Sequence, residues 1–574
     1  MKTIKITLAM AFAFALMISM AGCGEQGGSD NAADIAFTNG LVYMADEAGD
    51  TAEAAAVKGD EIVYVGDAPG VEEFIGDNTR VVDLNGGMLV PGFIDSHQHP
   101  YGMVEMLYTV QLYECETGQA YLDEVTKYYK ENPDADKIVG VGFDTPIFNK
   151  ISPTRETLDK ITADIPIALF DSGEHACLMN TKALEKIGMM DKDYKPADGE
   201  TVEKDAEGVP TGWVMDSENT DVFLSDFSVE QLKEGLKEYQ DMALSYGITT
   251  TFEDAPGVFE NTIKAYQELE ASDELKYRVS AYMRIAKGDD YDAQIEKLKK
   301  YKEENSDGLL RVDGAKIFID GALEAETAYM AEPYVNDPKN SGMNMWEGAT
   351  DELNELCRKL EAENLNYHFH AIGDAACTEA LDAIEYAKKD AKKSRTRPAI
   401  THLQFVDKDD VQRWSDLDVT AAIQAFWAVY DEYYDQAIEY VGQERADQQY
   451  PIQSLFDADI RVASGSDFPV QTDRPLEAIQ EGVLRAYPGE EDGPSLPPDS
   501  EKATVEEMLQ SYTLNGAIAN YREDEVGTID VGKKADLVVL DKNLLEIDPS
   551  EIADTKELMT VFNGEIVYEL QEDK

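Results

Sequence analysis

Between residues 91 and 524, short apolar runs of β type alternate with stretches of helical periodicity such as residues 229–246, 350–364 and 504–520, and this alternation restricts the fold more than any other feature of the chain. A strand that is followed by a helix and then by another strand is best buried in a parallel sheet. The length of the series suits a (β/α)8 TIM barrel with insertions, an α/β fold. Two half-sets of short strands flank it. Residues 41–44, 54–57, 61–65 and 81–84 alternate with Gly and Asp turns, and residues 527–529, 535–540 and 558–567 do the same at the other end. They predict one composite β-sandwich domain built from both termini, residues 35–90 with 525–574, beside a barrel at 91–524.

Charge removes whole classes of function. Asp and Glu number 115 against 50 Lys and Arg, a formal net charge of -65. Such a surface repels nucleic acid and anionic headgroups, so no nucleic-acid partner is expected. The first residues read as an address. Lys2 and Lys5 precede an uncharged apolar run at residues 6–20, and small residues lead to Cys23. This pattern resembles a lipoprotein signal over 1–22, with lipidation at Cys23, a flexible tether at 23–34 and an extracytoplasmic location anchored to the cell membrane through that lipid. An ordinary cleaved leader with a coincidental cysteine is the alternative. The other cysteines, Cys115, Cys177, Cys357 and Cys377, show no CxxC spacing and read as free buried thiols.

Only six histidines occur, and five of them close apolar runs: His97 and His99 after residues 88–96, His368 and His370 after Asn366-Tyr367, and His402 after residues 398–401. On an extended strand, residues two apart point the same way, so a His-x-His pair offers two imidazoles to one ion. The carboxyl ends of barrel strands are where such folds carry chemistry. Residues 461–467 add another apolar run that ends in a carboxylate, Asp467, suited to ligate a metal and move a proton. Residues 314–320 place Lys316 inside an apolar strand, where an ammonium is costly unless paired. Either Lys316 pairs with Asp320 or Asp467, or carbon dioxide carboxylates it into an anion able to bridge two ions.

Pro91-Gly92-Phe93-Ile94-Asp95-Ser96-His97-Gln98-His99, His370-Ala371-Ile372-Gly373-Asp374, Gly465-Ser466-Asp467 and the tail 527–537 together resemble the amidohydrolase superfamily, in the branch of N-substituted formamide deformylase and the YtcJ-like proteins. The resemblance implies one or two divalent ions, zinc first, with His97 and His99 on one, His370 and His402 on another, carboxylated Lys316 between them and Asp467 as ligand and proton shuttle. It also implies that barrel strands one, four, five, six and eight end near His97, Lys316, His370, His402 and Asp467. Strand seven is then 419–424, and strands two and three are 248–253 and 277–282. Residues 100–228 become an insertion after strand one, with two β runs at 138–143 and 166–171. That insertion either delivers His175 to the substrate as a lid or merely packs it.

Two positions depart from the branch. Glu326, with Glu324 before it, stands where an Arg is common, and Gln424 to Trp427 replaces Gln-Pro-x-His. Glu326, Gln424, Trp427 and His175 are therefore the expected substrate contacts. The two Glu either favour amine-bearing substrates or point outward. The expected activity is metal-assisted hydrolysis of a C–N bond in an amide or N-substituted formamide, with Asp467, Lys316 and His175 as catalytic groups and a small molecule as partner. A homodimer is an option. Deamination or lactone hydrolysis on the same metals, and a solute-binding lipoprotein, are the rivals.

Overall fold

The computed structural model describes residues 31–571 except 114, 172–175, 192, 197–199, 216, 225–226, 390–394 and 491–492. The leader, Cys23 and His175 thus lie outside the described residues. Eight parallel strands form the central sheet: β1 (Phe93–Asp95), β2 (Ile248–Asp254), β3 (Arg278–Arg284), β4 (Leu310–Phe318), β5 (Asn366–Ala371), β6 (Ala399–His402), β7 (Thr420–Ile423) and β8 (Val462–Ser464). They pair in chain order, and the circle closes where the Ser96 N–H donates to the Ser464 carbonyl at 2.9 Å. This is the (β/α)8 TIM barrel.

Local chemistry explains the elements. β2 reads Ile-Thr-Thr-Thr-Phe before its acids, a β-branched run that suits a pleated and fully buried strand. The helix before it, Val229–Ser245, starts on a capping box in which Ser228 and Gln231 each bond the other's backbone N–H. Gly465, just after β8, has no room for a side chain: a Cβ there would sit 2.5 Å from the His97 nitrogen. That close approach lets β8 lie against the end of β1 and brings Asp467 beside His97.

A six-stranded sheet joins the two ends of the chain, running Glu565–Glu569, Glu557–Phe562, Leu537–Leu540, Met88–Pro91, Leu41–Tyr43 and Thr51–Ala52. Leu537 pairs with Pro91 and Leu540 with Met88 in antiparallel register. A four-stranded sheet of Glu61–Gly66, Ala54–Lys58, Ile35–Thr38 and Arg80–Asp83 shares one apolar core with it, where Phe37, Val57 and Ile62 meet Leu89, Leu537 and Val561. Arg278, at the start of β3, forms a buried ion pair with Asp536 at 2.9 Å and ties the barrel to this sheet.

Residues between β1 and the Val229–Ser245 helix hold a third sheet, six-stranded rather than the two runs read from sequence. Val110–Gln111, Ala176–Met179, Thr201–Lys204 and Pro210–Met215 join Ile138–Phe143 and Ile167–Asp171. Its two faces have apolar clusters of their own. Cys115, Cys177, Cys357 and Cys377 are free thiols. Among the described residues, no helix is long and apolar enough to cross a membrane.

Candidate metal centre

The ends of β1, β2, β5, β6 and β8 converge on His97. Its ring lies 5.4 Å from that of His99, 5.0 Å from His368 and 4.9 Å from His402, centre to centre. Its Nδ1 is 3.0 Å from Asp254 Oδ2 and its Nε2 is 3.2 Å from Asp467 Oδ1, yet neither contact has hydrogen-bond geometry. Both nitrogens of His368 and Oδ1 of Asp254 are likewise buried without a hydrogen-bond partner. A buried polar atom left unpaired costs roughly 1–3 kcal/mol. Five such atoms in one place are the donor set of something that accepts lone pairs, as a divalent cation does.

Two groups of three offer their ligand atoms within 4.8 Å of one another, His97 with Asp254 and His368, and His97 with His402 and Asp467; all five residues are buried. Burial pushes His368 and His402 well below the ordinary imidazole range, so both are neutral, the form that ligates. His402 is further oriented by Gln424, whose Oε1 lies 3.0 Å from His402 Nδ1, leaving Nε2 to face the centre. His402 and Asp467 both adopt left-handed backbone conformations, φ 81° and φ 60°. Such strain at non-glycine residues costs about 1–3 kcal/mol each and gathers at functional sites.

The remaining residues expected from sequence stand one contact away. His99 Nδ1 lies 2.6 Å from the Asp254 carbonyl oxygen, and its Nε2 lies 3.1 Å from Asp467 Oδ1. Burial lowers its basicity, but the hydrogen bond and charge of Asp467, with the charge of Asp254, outweigh burial and hold it at about 9. His370 packs against Phe318 and centres 4.4 Å from His402, with its Nε2 3.2 Å from the Gly321 carbonyl. Burial, then the charge of Lys316, pushes it down to about 3. Lys316 donates to Asp254 Oδ2 at 2.6 Å. Its partner is neither Asp320 nor Asp467, the two carboxylates expected from sequence. Asp320 instead accepts backbone N–H bonds from Ile372, Gly373 and Tyr329.

Beside the centre lies a cavity of about 520 Å³ whose lining includes His370, His402 and Asp467 together with Glu324, Trp427 and Asp431. Trp427 stacks on His402 at 5.4 Å. Gln424 is buried behind His402 and acts through it, while Glu326 turns away to accept from Asn336 Nδ2 at 3.1 Å. Glu324 is the loop carboxylate that reaches the cavity. Asp254 and the part played by His368 were missed in the sequence, although Asp254 closes a β-branched run at the end of a barrel strand.

Comparison with known proteins agrees with this architecture. Residues 80–568 match the amidohydrolase family. YtcJ of Bacillus subtilis, a protein named as an amidohydrolase, is 30% identical over 92% of this chain and 98% of its own length. N-substituted formamide deformylase of Arthrobacter pascens is 26% identical over 93% of this chain and 98% of its own. An uncharacterized metal-dependent hydrolase from Pyrococcus furiosus superimposes with a TM-score of 0.71 at 27% identity, covering 90% of this chain and 99% of that one. The chain belongs to the amidohydrolase family and is a metal-dependent hydrolase of the class that acts on carbon–nitrogen bonds other than peptide bonds.

Proposed function

We propose that this protein hydrolyses the C–N bond of a small amide or N-substituted formamide, outside the cytoplasm. The observation that carries the reading is the set of five unpaired buried donor atoms at the carboxyl ends of the barrel strands. His97, His402 and Asp467, and His97, Asp254 and His368, fit two divalent ions, and imidazole with carboxylate suits zinc. Such ions supply Lewis acidity toward the carbonyl and lower the pKa of water toward neutrality.

The chain's own groups do the rest. Asp467, bonded to His99, takes the proton of the attacking water and returns it to the leaving nitrogen. Gln424 holds the tautomer of His402. Trp427 and Phe426 wall the cavity and limit competing water. Lys316 rests as the ammonium paired with Asp254, but burial lowers its pKa from the ordinary lysine value, against the charge of Asp254, so the neutral amine is reached more readily than at an exposed lysine. That amine is the form that adds carbon dioxide, giving a carbamate and releasing a proton. His175 is kept as a substrate contact and Cys23 as the lipid acceptor on sequence grounds.

The test joins metal analysis to a substrate screen. Purified protein should hold stoichiometric zinc or another divalent metal, and N-substituted formamides should release amine at a rate abolished by chelation. A metal-loaded protein that releases ammonia from aminated rings, and no amine from any amide, would overturn the reading. Lys316→Ala should lose activity that short carboxylic acids partly restore. Cys23→Ala should move the protein from the membrane fraction into the medium or periplasm.

A further inference from the structure

The lining of the cavity carries a charge pattern that the hydrolytic chemistry does not need. Glu324 and Asp431 both face the space, and no Lys or Arg lines it among the described residues. Asp431 is held in place from two directions: its Oδ1 caps the helix Glu432–Val441 by accepting from the N–H groups of Tyr433 and Tyr434, and its Oδ2 accepts from the Tyr487 hydroxyl at 3.1 Å. Among the described residues, the Glu324 carboxylate is bonded only by its own backbone N–H. Although the residue stays exposed overall, the cavity walls desolvate its carboxylate, and Asp431 adds repulsion. Both effects disfavour its charge and leave it in want of a cation.

An independent group points the same way. Gln404, 96% buried by its 4% exposure, lines the same cavity. Its amide orientation is fixed by a chain of bonds behind it. Gln449 Nε2 donates to the Ala446 carbonyl at 3.0 Å, so Gln449 presents its oxygen, and Gln404 Nε2 donates to that oxygen at 2.6 Å. Gln404 Oε1 is thereby left without a partner among the described residues, an unpaired acceptor in a buried side chain at the cavity wall. Two carboxylates and a locked amide oxygen, set among Trp427, Tyr433 and Tyr487, offer acceptors and aromatic faces and no side-chain cation.

From this we infer that the substrate carries a primary ammonium group, bound by Glu324, Asp431 and Gln404 in the cavity beside the metal centre. The inference rests on the hydrolase reading for the reaction itself, but not for the binding of the cation. A primary ammonium brings three N–H donors and no acceptor, the complement of the three acceptors present. An anionic substrate meets repulsion from both carboxylates.

The experiment uses two isosteric formamides, N-(4-aminobutyl)formamide and N-pentylformamide, and calorimetric binding of n-butylammonium against n-butanol to the metal-loaded enzyme. The wild type should favour the aminobutyl compound in kcat/KM and bind n-butylammonium more tightly than the alcohol. Glu324→Gln should cut the ratio of the two kcat/KM values about tenfold, equal to about 1.4 kcal/mol, and Glu324→Lys should invert it. Equal handling of the two formamides by the wild type, or a ratio unmoved in both variants, overturns the inference while leaving the hydrolase intact. Selective binding of n-butylammonium that is lost in Glu324→Gln, with neither formamide cleaved, upholds the cation site and overturns the hydrolase reading. If neither formamide is cleaved and n-butylammonium binds no better than the alcohol, both fall.

Discussion

Replacing Asp254 by Asn keeps the shape of the side chain and removes its charge. The carboxylate is fully buried, and one oxygen receives the Lys316 ammonium at 2.6 Å. Breaking a buried ion pair by neutralising one partner costs about 3–5 kcal/mol, because the other charge is stranded in a medium that cannot solvate it. An unfolding entropy of about 2.1 cal/mol/K per residue gives a chain of this size roughly 1.2 kcal/mol per degree, so Tm should fall by about 2.5–4 °C when the chain unfolds as one unit. Calorimetry of chelator-treated protein at pH 7 measures it. The double variant Asp254→Asn, Lys316→Met closes the cycle: with both charges gone, most of the loss should return. A fall under about 1 °C in the single variant, or a double variant as unstable as the single one, would refute the stranded-charge argument.

Gln424→Leu removes the acceptor that fixes His402 and should weaken metal affinity about ten- to a hundredfold, read by competition with a chromogenic chelator; unchanged affinity would show that His402 needs no such partner. Glu481, buried with Oε2 unpaired, is pushed up from 4.5 to about 9 by desolvation and then by Glu477. Between those values the folded chain keeps a proton that the unfolded chain has lost, so its contribution to stability declines as pH rises. Glu481→Gln should therefore raise Tm by about 2–4 °C at pH 8 and leave it unchanged at pH 4, where the carboxyl is protonated in both states; equal effects at the two pH values would refute the titration.

Barrel strands were legible because most are buried along nearly their whole length and read as β-branched or apolar runs, as Ile248–Phe252 and Val462–Ser464 do. The inserted sheet was only half legible. Thr201–Lys204 is exposed along most of its length, and Val110–Gln111 spans two residues, so neither has an apolar signature to find. In the metal centre, a period of two places His368 and His370 on one side of β5, and nothing in the sequence ranks them. The distinction is tertiary: His368 is buried with both nitrogens unpaired, while His370 leans on Phe318 and Gly321. Asp254 was hidden by a strand boundary drawn one residue early, in a chain with 115 acids where one more at a strand end draws no notice. Glu326 and Glu324 were separable only by the loop's turn, φ 53° at Glu326, which sends one toward Asn336 and leaves the other on the cavity.

The sheet that joins both ends of the chain has a consequence for biosynthesis. Met88–Pro91 is buried at every position, and its outer partner is Leu537–Leu540, with Pro91 opposite Leu537. At roughly 5–20 residues per second on the ribosome, the strand's unpaired apolar edge waits about 20–90 s for that partner to emerge. An open strand edge of this kind recruits other chains. Nascent copies of this protein thus need shielding by a chaperone or a wide spacing between ribosomes, and a chain stopped short of Leu537 should be captured by aggregation or proteolysis before its barrel is ever used.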